Sequence, residues 1–487
     1  MNLKMSRTGV MLCSLVLMAS LARAQSTNSG SQQGLPPLSP LGPIKTIGDT
    51  VTPGDSSASG NPDVIADSRP LAGAQELTLG MPASVHNFLL PSFSVITQAG
   101  TNGFSSGSGS TSNAATSSTS FLSGRLGMNR ISRKSELLLD YVAGASFTND
   151  PRLGNSLIQG LDASETFRWG RWSVLFADQF SYLSSSPFGF GGVGGLKNLG
   201  VGLGNGVGSS PGINSSFAPD QSVYINGIPR INNTGLGQTS YLLSHRSALT
   251  FVGSYGTLNF MDGSLRNSSA TSFQGGYDYL LSRQNAVSVT YRYDDFNFSN
   301  LAQSIHVQGF QVSFARRITG RLSWQIGAGP SLQEYQKPLS GTGTVVSPLA
   351  NTSLRYRWRY TGLALNYSHG VTNGSGILPG AETDIFSAVA ARTLGKNWDC
   401  SIDVGYSRNQ AVRQTHTLTV GASPQTWFTT ARVNRRFVGY GELFLSFNAS
   451  GQSSLSSLCT LPGCGVRAVI STASVGYTWG LRPVVLR

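Results

Sequence analysis

The sequence predicts an all-β chain: an antiparallel, up-and-down transmembrane β-barrel of about 18 strands, within a range of roughly 14–20, preceded by a disordered N-terminal tail. Three observations predict it. Long segments alternate apolar with small or polar residues at period 2, the signature of a sheet with two different faces. Short turns bearing a basic residue recur at a near-constant interval. The connections between strands alternate between tight and long.

Composition sets the frame. The chain has 487 residues, of which 12% are charged and 39% hydrophobic, with 59 glycines. Few charges without long apolar runs is unusual for a soluble enzyme, and the charge is too low for most disordered chains. Lys and Arg exceed Asp and Glu by 35 to 22, a formal net charge of +13, which favours anions or anionic surfaces without defining a fold.

In chain order, "MNLKMSR" supplies Lys4 and Arg7, "GVMLCSLVLMASLA" an apolar core, and "ARA" at 22–24 a small-x-small cleavage site. Residues 1–24 therefore read as an export signal peptide. The apolar core is short of the ~20 residues that a spanning helix needs. Residues 25–84, rich in Ser, Gly and Pro as in "STNSGSQQGLPPLSP", read as a flexible periplasmic tail. The barrel is assigned to 85–487, with an opening strand near 86–98.

Alternation then takes over. "NWDCSIDVGYS" puts Trp398, Cys400, Ile402, Val404 and Tyr406 on one face, and "RLSWQIGAG" sets Leu322, Trp324, Ile326 and Ala328 against Ser323, Gln325 and Gly327. "AVSVTYRYD" opposes Val287, Val289, Tyr291 and Tyr293 to Ser288, Thr290, Arg292 and Asp294. "RAVISTASVGYTWG" opposes Val475, Tyr477 and Trp479 to Ser474, Gly476 and Thr478. Such runs exceed the ~5–6 residues of common globular strands and suit the ~9–11 residues of a tilted membrane strand. The turn markers Arg133, Arg171, Arg246, Arg283, Arg321, Arg359, Lys396, Arg436 and Arg482 are spaced by 37–40 residues, except for one interval of 75 and a last one of 46. The interval of 75 spans a Gly-rich insertion, 187–237, which falls on the long-loop side by phase. A period near 40 also suits a β-propeller, but a blade packs four strands into that length, whereas these units hold two long ones.

The signal peptide, the alternating strands, the tight-turn and long-loop asymmetry and the aromatic final strand "SVGYTWG" together resemble a Gram-negative outer-membrane β-barrel of the porin-like class, over about 85–480. The resemblance is architectural and carries no motif of one particular family. It implies a bacterial outer-membrane location, contact with outer-membrane lipids and insertion by the barrel assembly machinery. "LRPVVLR" after the aromatic strand departs from the usual terminal aromatic residue that this machinery reads.

In such a barrel the polar face lines the lumen. Arg292, Asp294, Arg355, Arg357, Arg359, Asp399, Asp403, Arg432 and Arg436 are the charged lumen candidates. The stretch "LRYRWRY" (354–360) supplies three of them, each alternating with a ring or Leu. Their basic excess points to anions; the alternative is that neighbouring charges pair and merely hydrate the wall. Rings near strand ends (Trp169, Trp172, Tyr241, Tyr279, Trp358, Tyr360, Tyr440, Trp479) suit an interfacial girdle. Cys459 and Cys464, in "LCTLPGCG", suit a small disulfide in an oxidising compartment.

No catalytic, cofactor or metal residue is assigned. A hydrolase would need a His hydrogen-bonded to Ser or Asp at the membrane surface. The chain has five His, of which His306 is expected toward the lumen, and no G-x-S-x-G in a strand–turn–helix context. No nucleic-acid motif accompanies the basic residues. The functional reading is a porin-like channel for diffusion of small hydrophilic, optionally anionic, solutes. A surface structural or adhesion barrel with a closed lumen is the alternative. A homo-oligomer is compatible with either.

Overall fold

The computed structural model describes residues 70–74, 87–102, 115–149, 154–183, 213, 215–217, 219, 229–261, 265–299, 304–335, 343–374, 378, 380–395, 397–412, 424–437, 441–452, 468–481 and 484–485. The expected signal peptide, most of the expected tail, most of the Gly-rich insertion, and Cys459 and Cys464 lie outside them.

Among the described residues, eighteen long strands follow one another: β1 (Phe88–Asn102), β2 (Ala115–Ile131), β3 (Ser135–Thr148), β4 (Ser156–Trp169), β5 (Trp172–Leu183), β6 (Arg230–Ser244), β7 (Ser247–Phe260), β8 (Ser268–Leu280), β9 (Asn285–Phe298), β10 (Ser304–Arg317), β11 (Leu322–Tyr335), β12 (Thr344–Arg357), β13 (Thr361–Thr372), β14 (Ala381–Leu394), β15 (Trp398–Ala411), β16 (Gln425–Arg436), β17 (Gly441–Gln452) and β18 (Ala468–Gly480). Each pairs antiparallel with its sequence neighbours, and β1 pairs with β18, so the sheet closes on itself. A two-residue strand, β19 (Val484–Val485), adds to the start of β1. β6 begins at Arg230, so the last residues of the stretch expected to be loop, 230–237, are strand.

Fourteen residues, the length of β3, at ~3.3 Å each and tilted by ~45°, rise ~33 Å, close to the ~30 Å of a hydrocarbon core. Closure leaves no unpaired edge, which a sheet in lipid cannot tolerate. The described tight turns at 132–134, 170–171, 245–246, 281–284, 318–321 and 358–360 lie at one rim. In "WGRW" the two-residue turn needs a left-handed residue, and Gly170 takes φ 57°.

Packing is inverted relative to a soluble domain. Alternate residues of β7 are buried inside the barrel, while Phe251 and Tyr255 between them stand 58% and 56% exposed on the outside. Val475, Tyr477 and Trp479 on β18, and Val289 and Tyr291 on β9, are likewise exposed outward, with Ser474, Ser288 and Thr290 buried inward. The faces assigned from alternation at these strands are the faces observed. Of the rings expected near strand ends, Trp169, Trp172, Tyr279, Tyr360 and Trp479 are exposed, and Trp172 packs on Tyr241 at 4.6 Å; Tyr440 lies outside the described residues. One ladder is interrupted. Between β10 and β11 the pairing stops at Gly309–Ser331 and resumes at Val312–Ala328, around Pro330, which has no N–H to give.

Candidate functional site

The lumen wall is built from small hydroxyl residues whose side chains satisfy one another across strands. Ser331 and Ser347 approach to 2.8 Å, Ser446 and Ser474 to 2.6 Å, and Thr372 and Thr383 to 2.9 Å. Short side chains leave the interior open. Paired hydroxyls also avoid the penalty of ~1–3 kcal/mol for an unmatched buried polar group.

Charges on the wall come mostly as pairs. Arg292 and Asp294, two apart on β9 and so on one face, form a salt bridge of 2.7 Å. On β15–β17, Arg432 reaches Glu442 at 3.3 Å and lies over the Phe444 ring at 4.0 Å, while Asp399 accepts from Arg436 at 3.0 Å and from Asn434 at 2.6 Å. Asp403 occupies the same inward phase on β15, midway along the strand. Arg355 is buried on the inward face of β12, and Arg357 is the last residue of that strand. Arg359, expected on the same stripe, lies beyond the strand in the turn 358–360, stacked on Tyr360 at 5.1 Å. The alternation of "LRYRWRY" ends with β12, and the turn redirects its last arginine. A further pair, Arg125 on β2 with Asp140 on β3, was missed in the sequence because its partners come from different strands.

Two stretches distant in sequence enter the lumen. At the tail, Pro70–Gly73 forms a turn (Gly73 N–H to Pro70 O, 2.9 Å) held by the wall. Ala72 N–H donates to Asp278 at 3.1 Å, Ala74 N–H donates to Gln238 at 2.9 Å, and Gln274 donates to Ala72 O at 2.8 Å. Gly276 makes room, because a Cβ there would sit 2.4 Å from the Ala72 methyl. From the insertion, Ile213 and Phe217 pack with Ala74 against Leu175, Ala177, Leu236 and Val252, an apolar patch on the inward face of β5–β7. Burial of that patch explains why Ile213 and Phe217 sit inward here instead of in water. Arg292 lies 4.4 Å from the Phe217 ring. Just past the end of β13, Asn373 donates to Ser268 of β8 at 2.7 Å.

Among the described residues, a cavity of about 250 Å³, open to solvent, lies beside β9–β14. Arg292, Asp294, Gln311, Asn351 and Arg355 line it, with Leu71 and Phe217 on the inserted side. The chamber can pass or hold small polar solutes. Among the described residues, no group of three or more His, Cys, Asp and Glu is arranged to hold a metal ion.

Two histidines sit elsewhere. His306, expected toward the lumen, faces outward: the inward phase of β10 belongs to Ile305 and Val307, which are buried. It lies 3.1 Å from Asp295 and 3.0 Å from the Tyr293 hydroxyl. His369 on β13 also faces outward, between Asp384 (2.8 Å) and Glu382 (3.0 Å). His245 is in the turn 245–246; His86 and His416 lie outside the described residues.

No known protein-family profile matches the chain, and no curated protein matches it in sequence. Among solved structures it is similar to Pseudomonas aeruginosa OpdQ (9% identity, TM-score 0.39, covering 81% of this chain and 99% of that one). It is also similar to Acinetobacter baumannii OccAB3 (8%, 0.38, 81% and 99%) and to P. aeruginosa OccK2 (OpdF) in complex with glucuronate (9%, 0.39, 81% and 98%). Likeness at this level assigns neither family nor substrate.

Proposed function

We propose that the chain is a bacterial outer-membrane channel through which small hydrophilic solutes diffuse. The observation that carries this reading is the inversion of the barrel: rings and aliphatic side chains outside, hydroxyls, amides and charges inside around an open chamber. Membrane pores are built this way. Passage through such a chamber needs no nucleophile, metal or cofactor in the lumen. The wall supports only a weak preference for charge, since Arg125, Arg292, Arg432 and Arg436 each face a carboxylate. Outer-membrane lipids are then the neighbours of the outer face.

Purified protein reconstituted in planar bilayers tests the reading. Discrete current steps with a reversal potential near zero in a salt gradient are expected, and silence at every voltage removes it. A second reading, a closed structural barrel, is favoured by the two stretches that enter the lumen, and silence would support it.

A further inference from the structure

The outward ends of β9 and β10 carry a constellation that the channel does not use. Three cross-strand pairs are stacked there on the outer face: Tyr293 with Gln308, Asp295 with His306, and Asn297 with Ser304. Ser304 and His306 are two apart on one strand, so their side chains leave the same face. The Ser304 hydroxyl lies 3.5 Å from His306 Nε2, and Asp295 Oδ1 lies 3.1 Å from His306 Nδ1. Tyr293 fixes the imidazole further, with its ring stacked at 6.1 Å and its hydroxyl 3.0 Å from Nδ1. Asn297 donates one amide hydrogen to Asp295 Oδ2 at 3.1 Å and stands opposite Ser304 with a second one. Glu334 of β11 flanks His306 from the other side.

We propose that Ser304, His306 and Asp295 form an acyl-hydrolase site on the outer face of the barrel, acting on the carboxylic ester of a membrane lipid. Nucleophile and base are in contact, the Tyr293 hydroxyl is the hydrogen-bond partner of Nδ1, and the Asp295 carboxylate lies beside the imidazole as a charge partner without a hydrogen bond from Oδ1. A hydroxyl–imidazole distance at the long end of hydrogen bonding is common before substrate binds. His306 Nε2 takes the proton as Ser304 Oγ attacks the ester carbonyl. The C–O bond to the alcohol then breaks, and the alcohol leaves with that proton. Water, activated by the same nitrogen, cleaves the acyl-serine ester and releases the fatty acid. The Tyr293 hydroxyl accepts from Nδ1–H, which leaves Nε2 as the base, the Asp295 carboxylate beside the ring stabilises the imidazolium, and the Asn297 amide donates toward the carbonyl oxygen as it becomes negative. His369 provides an internal contrast: both of its nitrogens face carboxylates, leaving none for a nucleophile.

The site's place on the wall selects the substrate. Next along the same outward rows come Tyr291, Phe310 and Val312, all exposed. An ester carbonyl at the polar rim would lay its acyl chain over that apolar surface. This choice of lipid rests on the membrane placement proposed above; the triad itself does not.

The test uses full-length protein in detergent micelles. A fluorophosphonate should label Ser304, located by peptide mass, and micellar dioctanoyl-phosphatidylcholine should release octanoate. Ser304→Ala and His306→Ala should each lower release by ~10³-fold or more, and Asn297→Ala by ~10²-fold. Each variant is checked for the heat-dependent gel mobility of a folded barrel. An unlabelled Ser304, or wild-type release from Ser304→Ala, overturns the site; labelling without release overturns the lipid substrate. Bilayer current on the same preparation keeps the two readings apart: labelled but silent protein removes the channel and supports the site, and conducting but unlabelled protein does the reverse.

Discussion

At the scale of single residues, the lumen is governed by how each polar group is matched. Arg292 and Asp294 have side chains only 12% and 7% exposed, so neither charge is fully solvated without the other. Removing one member of such a pair leaves an uncompensated buried charge and typically costs ~3–5 kcal/mol. Asp294→Ala should therefore lower the unfolding free energy by ~3 kcal/mol, read from urea titration of tryptophan fluorescence. In the proposed channel the same substitution should move the reversal potential toward that of the anion, because Arg292 then faces the chamber without its carboxylate. An unchanged potential would mean that this pair lies off the conducting path.

At the scale of elements, strands and tight turns were legible in the sequence because a two-faced sheet imposes period 2 and a basic residue marks the turns at a near-constant interval. The faces of "AVSVTYRYD" and "RLSWQIGAG" follow from alternation alone. Gly170→Val should cost ~1–2 kcal/mol, since a branched side chain resists the left-handed φ of 57°. Gly124→Ala, where a Cβ meets nothing within 4 Å, should stabilise by ~0.5 kcal/mol. Equal effects at both sites in urea titrations would contradict this account of the turn. Other features had no local signal. Pro70–Ala74, Ile213 and Phe217 belong to stretches that carry no period, and the inward placement of Ala74, Ile213 and Phe217 depends on an apolar patch assembled from β5, β6 and β7. The sequence does show Tyr293, Asp295 and Asn297 in alternation, and Ser304 two before His306. Opposing them requires the register across 299–303, which no single strand reveals. Arg359 misled for a related reason: its phase continues that of Arg355 and Arg357, but the strand stops at Arg357.

At the scale of the whole molecule, the apolar outside and polar inside make depth on the outer face the quantity that matters. Leu445, outward on β17 and 61% exposed, should tolerate arginine badly: ~2–4 kcal/mol lost for protein folded in phosphocholine vesicles, against ~0–1 kcal/mol for Trp479→Arg beside the rim. Equal costs at the two depths would argue against a bilayer around this wall. The closed cylinder also orders events in time. Apart from the seam, the long strands pair only with their neighbours in sequence, and isolated hairpins form in ~1–10 μs. The seam between β1 and β18 brings Thr101 to Ser471, roughly 370 positions away, and the entropy of closing a loop rises with its length. Local ladders can form and dissolve many times while that one contact is awaited. The cylinder then appears as a single late event, after which neither β1 nor β18 offers a free edge to a second chain.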